Sequence, residues 1–203
     1  MQAKMRATKS NTDVEVDVQA LEKGQLVTSD IRLQWTAKGY GWMAMATAAV
    51  ASLIVRPTTT AIVTLYNNTS KNFVIDRVFA HNLVSIADGQ FGIWMCVHPV
   101  GMTAPSGNDI TVRNNTRGVV AGTEGVFDVA ETVADNGWFP WGPNSTSVTV
   151  TVPGSLTEAK VDGKIIIPPT AGLSLSSVAQ TAAVTVCMGI HWFSVPASEL
   201  AME

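Results

Sequence analysis

Charge is what this chain has least of. Lysine, arginine, aspartate and glutamate make up 14% of its 203 residues, while hydrophobic residues make up 46%; a typical soluble domain is about 25% charged. So much neutral surface implies burial against other subunits. The formal net charge of -3 offers no general attraction to nucleic acid or to an acidic membrane, since both need clustered Lys and Arg. Basic residues gather only near the N-terminal end, at Lys4, Arg6 and Lys9, and nucleic acid is not an expected partner.

Cysteine is scarce too. Cys96 and Cys187 both fall inside predicted strands, and Met1 to Arg6 lacks the apolar centre of a secretion signal. They read as free, buried thiols rather than a secreted disulfide framework, and the sequons at Asn67, Asn68, Asn114 and Asn144 read as unmodified turn residues. No hydrophobic run is long: the stretch from Trp42 to Val55 is broken by Thr47 and Ser52 and falls short of the roughly 20 residues that span a bilayer. It reads as buried protein with no membrane partner. Ala44, Ala46, Ala48, Ala49 and Ala51 suit a helix and Leu53-Ile54-Val55 a strand, so its secondary structure stays open.

Reaction motifs are absent as well. His81, His98 and His191 show no H-x-H or H-x-x-x-H spacing, and neither Cys lies at a zinc spacing. No G-x-S-x-G elbow is present. The acids Asp109, Glu124, Asp128, Glu131 and Asp135 read as solvated turn formers rather than a glycosidase pair, and the glycines from Gly118 to Gly125 lack the Lys and helix of a phosphate loop. The expectation is a protein that is not an enzyme, with no catalytic residue, metal or cofactor.

What is present is alternation. Val148, Val150 and Val152 alternate with Ser147, Thr149 and Thr151, and Val184, Val186, Met188, Ile190 and Trp192 alternate with Thr185, Cys187, Gly189, His191 and Phe193. A period of two marks strands with one buried face. With strands also at 60–66, 72–81 and 91–97, and short ones at 110–113 and 125–129, the pattern predicts an all-β antiparallel sandwich. Its core is expected to hold Val63, Leu65, Phe73, Ile75, Phe91, Ile93, Val148, Val150, Ile166, Leu175, Val184, Val186 and Ile190. In the strand over 72–81, Phe73, Ile75 and Phe79 are assigned to one face and Val74, Asp76 and Val78 to the other. The turn Asn67-Asn68-Thr69-Ser70 predicts a hairpin or a tight connection.

Two regions stand apart. Residues 1–38 hold much of the charge and read as an extended N-terminal arm, with Val14, Val16 and Val18 forming one apolar edge that needs a sheet to add to; residues 39–203 read as the sandwich domain. Residues 99–146, rich in Gly, Asn, Asp, Thr and Pro, read as a long loop region. Within it Trp138, Phe139 and Trp141 can plug the end of the sandwich, contact another subunit or form a ligand platform.

The strand from Ala61 to Tyr66 running into Asn67-Asn68-Thr69, the strand from Phe73 to Phe79, the run Lys164-Ile165-Ile166-Ile167-Pro168-Pro169, then Leu173-Ser174-Leu175 and a long final strand closing with Trp192-Phe193, resemble virion proteins of tailed bacteriophages with jelly-roll domains. The resemblance covers about residues 58 to 195. It implies a jelly-roll structural or receptor-facing component located in the virion and made in the host cytoplasm, a homo-oligomer, commonly a trimer, contacting itself and other virion proteins, with no catalytic residue carried over. From a different class, the chain reads as a carbohydrate-binding or receptor-binding module that meets a glycan or host receptor through the Trp138 to Trp141 stretch.

Overall fold

The computed structural model of the chain describes residues 30–83, 86–107, 110–116, 124–133, 135–148 and 154–200, together with the backbone of two short strands, 5–8 and 15–18. Lys4, Lys9, Val14, Asp109, Val150 and Val152 lie outside the described residues. The protein is an all-β sandwich of two antiparallel sheets.

One sheet is built on two eleven-residue strands, β6 (Asn72–Asn82) and β14 (Thr185–Val195), flanked by β3 (Gly41–Met45), β8 (Arg113–Asn114) and β11 (Leu156–Lys160) in the order β11-β6-β14-β3-β8. The two-residue strands β4 (Val50–Ala51) and β12 (Ile166–Ile167) extend it by pairing with β14 and β6. The facing sheet runs β10-β7-β13-β5-β9, with β5 at Val63–Tyr66, β7 at Gln90–His98, β9 at Val126–Val129, β10 at Phe139–Thr146 and β13 at Gly172–Ala179. Every strand pair within the two sheets is antiparallel.

The core lies between the sheets. Phe73, Phe91, Phe127, Leu65, Leu173, Leu175, Met188 and Trp192 are all but sealed from solvent, and the Phe73 and Trp192 rings meet at 5.8 Å between centroids. Ten of the thirteen expected core residues are buried there. Of the others, Val150 is not described, Val148 is half-buried, and Ile166 is half-buried while its neighbour Ile167 is sealed. The register explains the exchange: Ile167 stands opposite Phe73, which faces the core, and Ile166 opposite Val74, which faces out.

The open question at 42–55 resolves as two short strands and no helix: β3 and β4 both pair with β14, while residues 46–49 and 52–55 lie outside strands and Leu53 makes only an isolated bridge to Val178. The small residues there serve close packing: a Cβ on Gly189 of β14 would lie 2.4 Å from the Phe79 ring and 2.7 Å from the Ala44 carbonyl oxygen. The Asn67 turn carries the chain from one sheet to the other, so it is a tight connection and not a hairpin. Asn67 Oδ1 accepts from the Thr69 N–H at 3.0 Å, and its Nδ2 donates to the carbonyls of Lys71 and Ile167.

Two expectations fail for definable reasons. In β6 the alternation slips: Phe73 and Ile75 face the core, but so do Val78 and Ala80, while Phe79 is only half-buried. The pairing skips from Ile75 opposite Trp192 to Arg77 opposite His191, leaving Asp76 as the extra residue of a β-bulge that flips the faces beyond it. In addition, 99–146 is not loop throughout. Residues 139–146 form β10, an edge strand where Pro140 and Pro143 are tolerated because one side of the backbone has no ladder to complete. Gly142 sits there at φ +80°.

The N-terminal region also divides. Helix α1 (Ile31–Ala37) is capped by the Asp30 side chain, which accepts from the Arg32 N–H. It packs on the outer face of the larger sheet, with Trp35 buried against Val74, Phe193 and Val195. Residues 30–38 therefore belong to the sandwich. Upstream, β1 (Met5–Thr8) pairs antiparallel with β2 (Glu15–Val18) in a sheet of two strands, Ala7 opposite Val16 and Met5 opposite Val18. The strand expected at Val16 and Val18 thus has a partner within its own segment.

Candidate functional site

The aromatic stretch leads to the first candidate site. Trp138 is buried, 3% exposed, and packs with Ala61, Cys96 and Val133 on the outer face of the smaller sheet, with Trp94 alongside. Phe139 and Trp141 are half-buried against the main core, 6.0 Å apart between centroids and edge-on; Trp141 Nε1 donates to the Lys160 carbonyl at 3.1 Å. The geometry is that of a lid folded onto the sheet. Arg56 holds it by donating to the carbonyls of Asn136 and Trp138.

Beneath this lid, β7 presents Cys96 and His98, two residues apart and therefore on one face. His98 Nδ1 lies 3.0 Å from an Asp135 carboxylate oxygen and 3.9 Å from Cys96 Sγ. On the other side of the ring, Nε2 is 2.7 Å from Ser174 Oγ on β13, which lies 2.8 Å from Thr64 Oγ1 on β5. The Gly137 N–H donates to the other Asp135 oxygen at 2.7 Å. Burial, and then the nearby Asp135 charge, push the Cys96 thiol up to about 12. Burial would also raise Asp135, but the hydrogen bonds from Gly137 and His98 outweigh it and hold the carboxyl below its ordinary range.

Ser174, His98 and Asp135 stand in the hydrogen-bonded order of a hydrolytic triad. Ser174 is fully buried and shares its hydroxyl with Thr64, so this conformation closes it to any substrate. The cluster escaped the sequence reading because Cys96-Val97-His98 carries meaning only on a strand, and Asp135 reaches it from 37 residues away. A search for x-spaced donors at strand period would have found the first two.

The second site is the bulge. Asp76, 3% exposed, accepts from Arg77 Nε at 2.9 Å, contacts His191 Nδ1 at 2.9 Å and receives Arg32 at 3.3 Å. Its own carbonyl accepts from the N–H groups of Val161 and Asp162. There the edge turns through Asp162 and Gly163 at φ +52° and +76°, the left-handed pair favoured by an Asp-Gly turn. Asp162 in turn meets Arg32 at 2.6 Å. Desolvation would raise the Asp76 carboxyl, yet His191 and Arg77 hold it far below its ordinary value. These residues line an open cavity of about 450 Å³ beside α1. Chemically it is a clasp of paired charges that fastens α1 to the sheet. His191 also contacts Asn115, and its ring meets Phe193 edge-on at 5.2 Å.

The other loop acids are dispersed: Glu124 pairs with Lys71 at 2.7 Å and Asp128 accepts from the Gly107 N–H. Cys96 and Cys187 are both free and buried. No helix among the described residues is long and apolar enough to cross a membrane. No family model matches the chain, and neither a curated protein nor a solved structure is significantly similar to it.

Proposed function

We propose that this protein is a non-enzymatic structural protein of a virion, a self-assembling capsid, decoration or tail subunit that works as a homo-oligomer, most simply a trimer. The observation that carries the reading is strand order. Setting aside the edge strands β8 and β9 and the two-residue strands β4 and β12, and counting β3, β5, β6, β7, β10, β11, β13 and β14 as strands one to eight, the larger sheet runs 6-3-8-1 and the smaller 5-4-7-2. That alternation between sheets supports a jelly-roll reading, since two interlocked Greek keys would give this order, an architecture recurrent in viral capsid and lectin domains.

Surface composition supports assembly. Leu33, Ile54, Val55, Val100 and Leu156 are each more than 60% exposed, in a chain with few charges to keep subunits apart. The arm that serves assembly is residues 1–29, since 30–38 pack on the domain itself. Native mass spectrometry of the full chain, beside a search for it in purified particles, tests the reading: a discrete oligomer found in particles supports it, and a monomer absent from particles overturns it. Deleting residues 1–29 is expected to leave the sandwich folded and weaken the oligomer or its incorporation. Glycan-array binding abolished by Trp141→Ala would favour the carbohydrate-binding or receptor-binding alternative instead.

A further inference from the structure

We propose that Cys96, His98 and Asp135 bind one Zn²⁺ ion through Sγ, Nδ1 and a carboxylate oxygen, with water as the fourth ligand, and that the ion pins the turn entering β10 to strand β7.

The donors already converge. The three ligand atoms lie within 4.8 Å of one another, with separations of 3.0 Å from His98 to Asp135 and 3.9 Å from Cys96 to His98. Tetrahedral zinc, with ligand distances of about 2.0 to 2.3 Å, places its ligands about 3.3 to 3.6 Å apart; the two pairs that share His98 are within a few tenths of an ångström of that, and the Asp135 side chain on the exposed rim closes the remaining distance to Cys96. A thiol beside an imidazole selects a borderline-soft cation over magnesium or calcium, and a tetrahedral N, S and O set favours zinc.

The surroundings are those of a metal ligand set. A zinc-bound imidazole donates its second N–H to a fixed acceptor, and His98 Nε2 has Ser174 Oγ at 2.7 Å, itself braced by Thr64. The Gly137 N–H engages one carboxylate oxygen of Asp135 and leaves the other toward His98. The Cys96 and His98 side chains are buried while that of Asp135 is 26% exposed, which opens one side of the cluster to the entering ion and to its water. Coordination takes Cys96 as the thiolate, releasing its proton to solvent, and takes His98 as the neutral tautomer in which the proton shared by Nδ1 with Asp135 has moved by way of solvent to Nε2, where it is donated to Ser174 Oγ.

The test uses the untagged full chain, stripped with a chelator and titrated calorimetrically with Zn²⁺, then with Co²⁺ as a spectroscopic probe. One equivalent is expected, with a thiolate-to-cobalt charge-transfer band and the visible absorption of tetrahedral cobalt. Cys96→Ser and His98→Gln should lose both, and Cys187→Ser should keep both. Ser174→Ala, acting only by orienting His98, should weaken binding about 10- to 100-fold. Asp135→Asn, on the exposed rim where folding is least at risk, should lower affinity at least as far, with an unchanged far-ultraviolet spectrum. Absence of a stoichiometric uptake, uptake that survives Cys96→Ser together with His98→Gln, or a cobalt band that disappears in Cys187→Ser instead would each overturn the proposal.

Discussion

The two outer faces of the sandwich solve the same problem with opposite chemistry. On the larger sheet, polar groups are charged and stay close to water: Asp76 is buried, but Arg32 and Arg77, which neutralise it, are more than 40% exposed. On the smaller sheet, polar groups are mostly neutral and dry, with Thr64 and Ser174 sealed and hydrogen-bonded to each other and His98 bridging them to Asp135 at the rim. Each face has an aromatic cover, Trp35 on one and Trp138 on the other. Charge can be buried only as far as its partners can follow, so the bulge makes an open clasp. Hydroxyls that satisfy one another can be buried completely, and the neutral face carries a closed lid.

The covers give the largest test of this contrast. Trp138→Ala is expected to cost about 3 to 5 kcal/mol, in the range of large aromatic truncations, and to lower the whole urea transition. Trp35→Ala removes the anchor of a seven-residue helix that can fray by itself, so about 3 kcal/mol or less is expected. Protease cutting near residues 30–38 should then precede global unfolding. Equal, fully cooperative losses in both variants would erase the distinction between a lid built into the sheet and a helix laid upon it.

The next test separates charge from neutral hydrogen bonding. Asp76→Asn keeps shape but removes the anion that Arg77, His191 and Arg32 share, and about 2 to 3 kcal/mol is expected at neutral pH. Because the folded carboxyl titrates below its unfolded value of about 3.9, its contribution is fully present above that pH and fades as pH falls toward the folded value. Acid titration of stability should therefore be flatter in Asp76→Asn than in the wild type. Asp135 is depressed in the same direction and adds to the same slope. An acid limb unchanged in Asp76→Asn would show that the clasp does not control acid stability.

The smallest effects belong to the dry face. Ser174→Ala is expected to cost about 1 to 2 kcal/mol in metal-free protein, the loss of a buried neutral partner to His98 and Thr64, with little dependence on added salt. Both thiols should resist a thiol reagent until denaturant is added, since Cys96 and Cys187 are buried and burial raises both. Rapid native labelling of Cys96 would mean that the Trp138 lid opens freely, and the contrast between the faces would fail there.

Alternation in the sequence determined a great deal by itself. Strands with one apolar face need a second sheet, and the residues from Phe73 to Ile75, Phe91 to Ile93 and Val184 to Ile190 are patterned for that without reference to partners. Buried free cysteines followed from the same pattern. What only the tertiary structure decided was wherever the period broke or distant segments met. The bulge at Asp76 reversed the faces of β6 because one residue was left out of the pairing with β14, an event no local propensity encodes. Pro140 and Pro143 read as loop because proline removes a ladder donor, yet an edge strand needs only one side of its ladder. Trp138, Cys96, His98, Asp135 and Ser174 became neighbours through three separate segments, since hydrogen bonds across a sheet follow register and crossover rather than sequence distance.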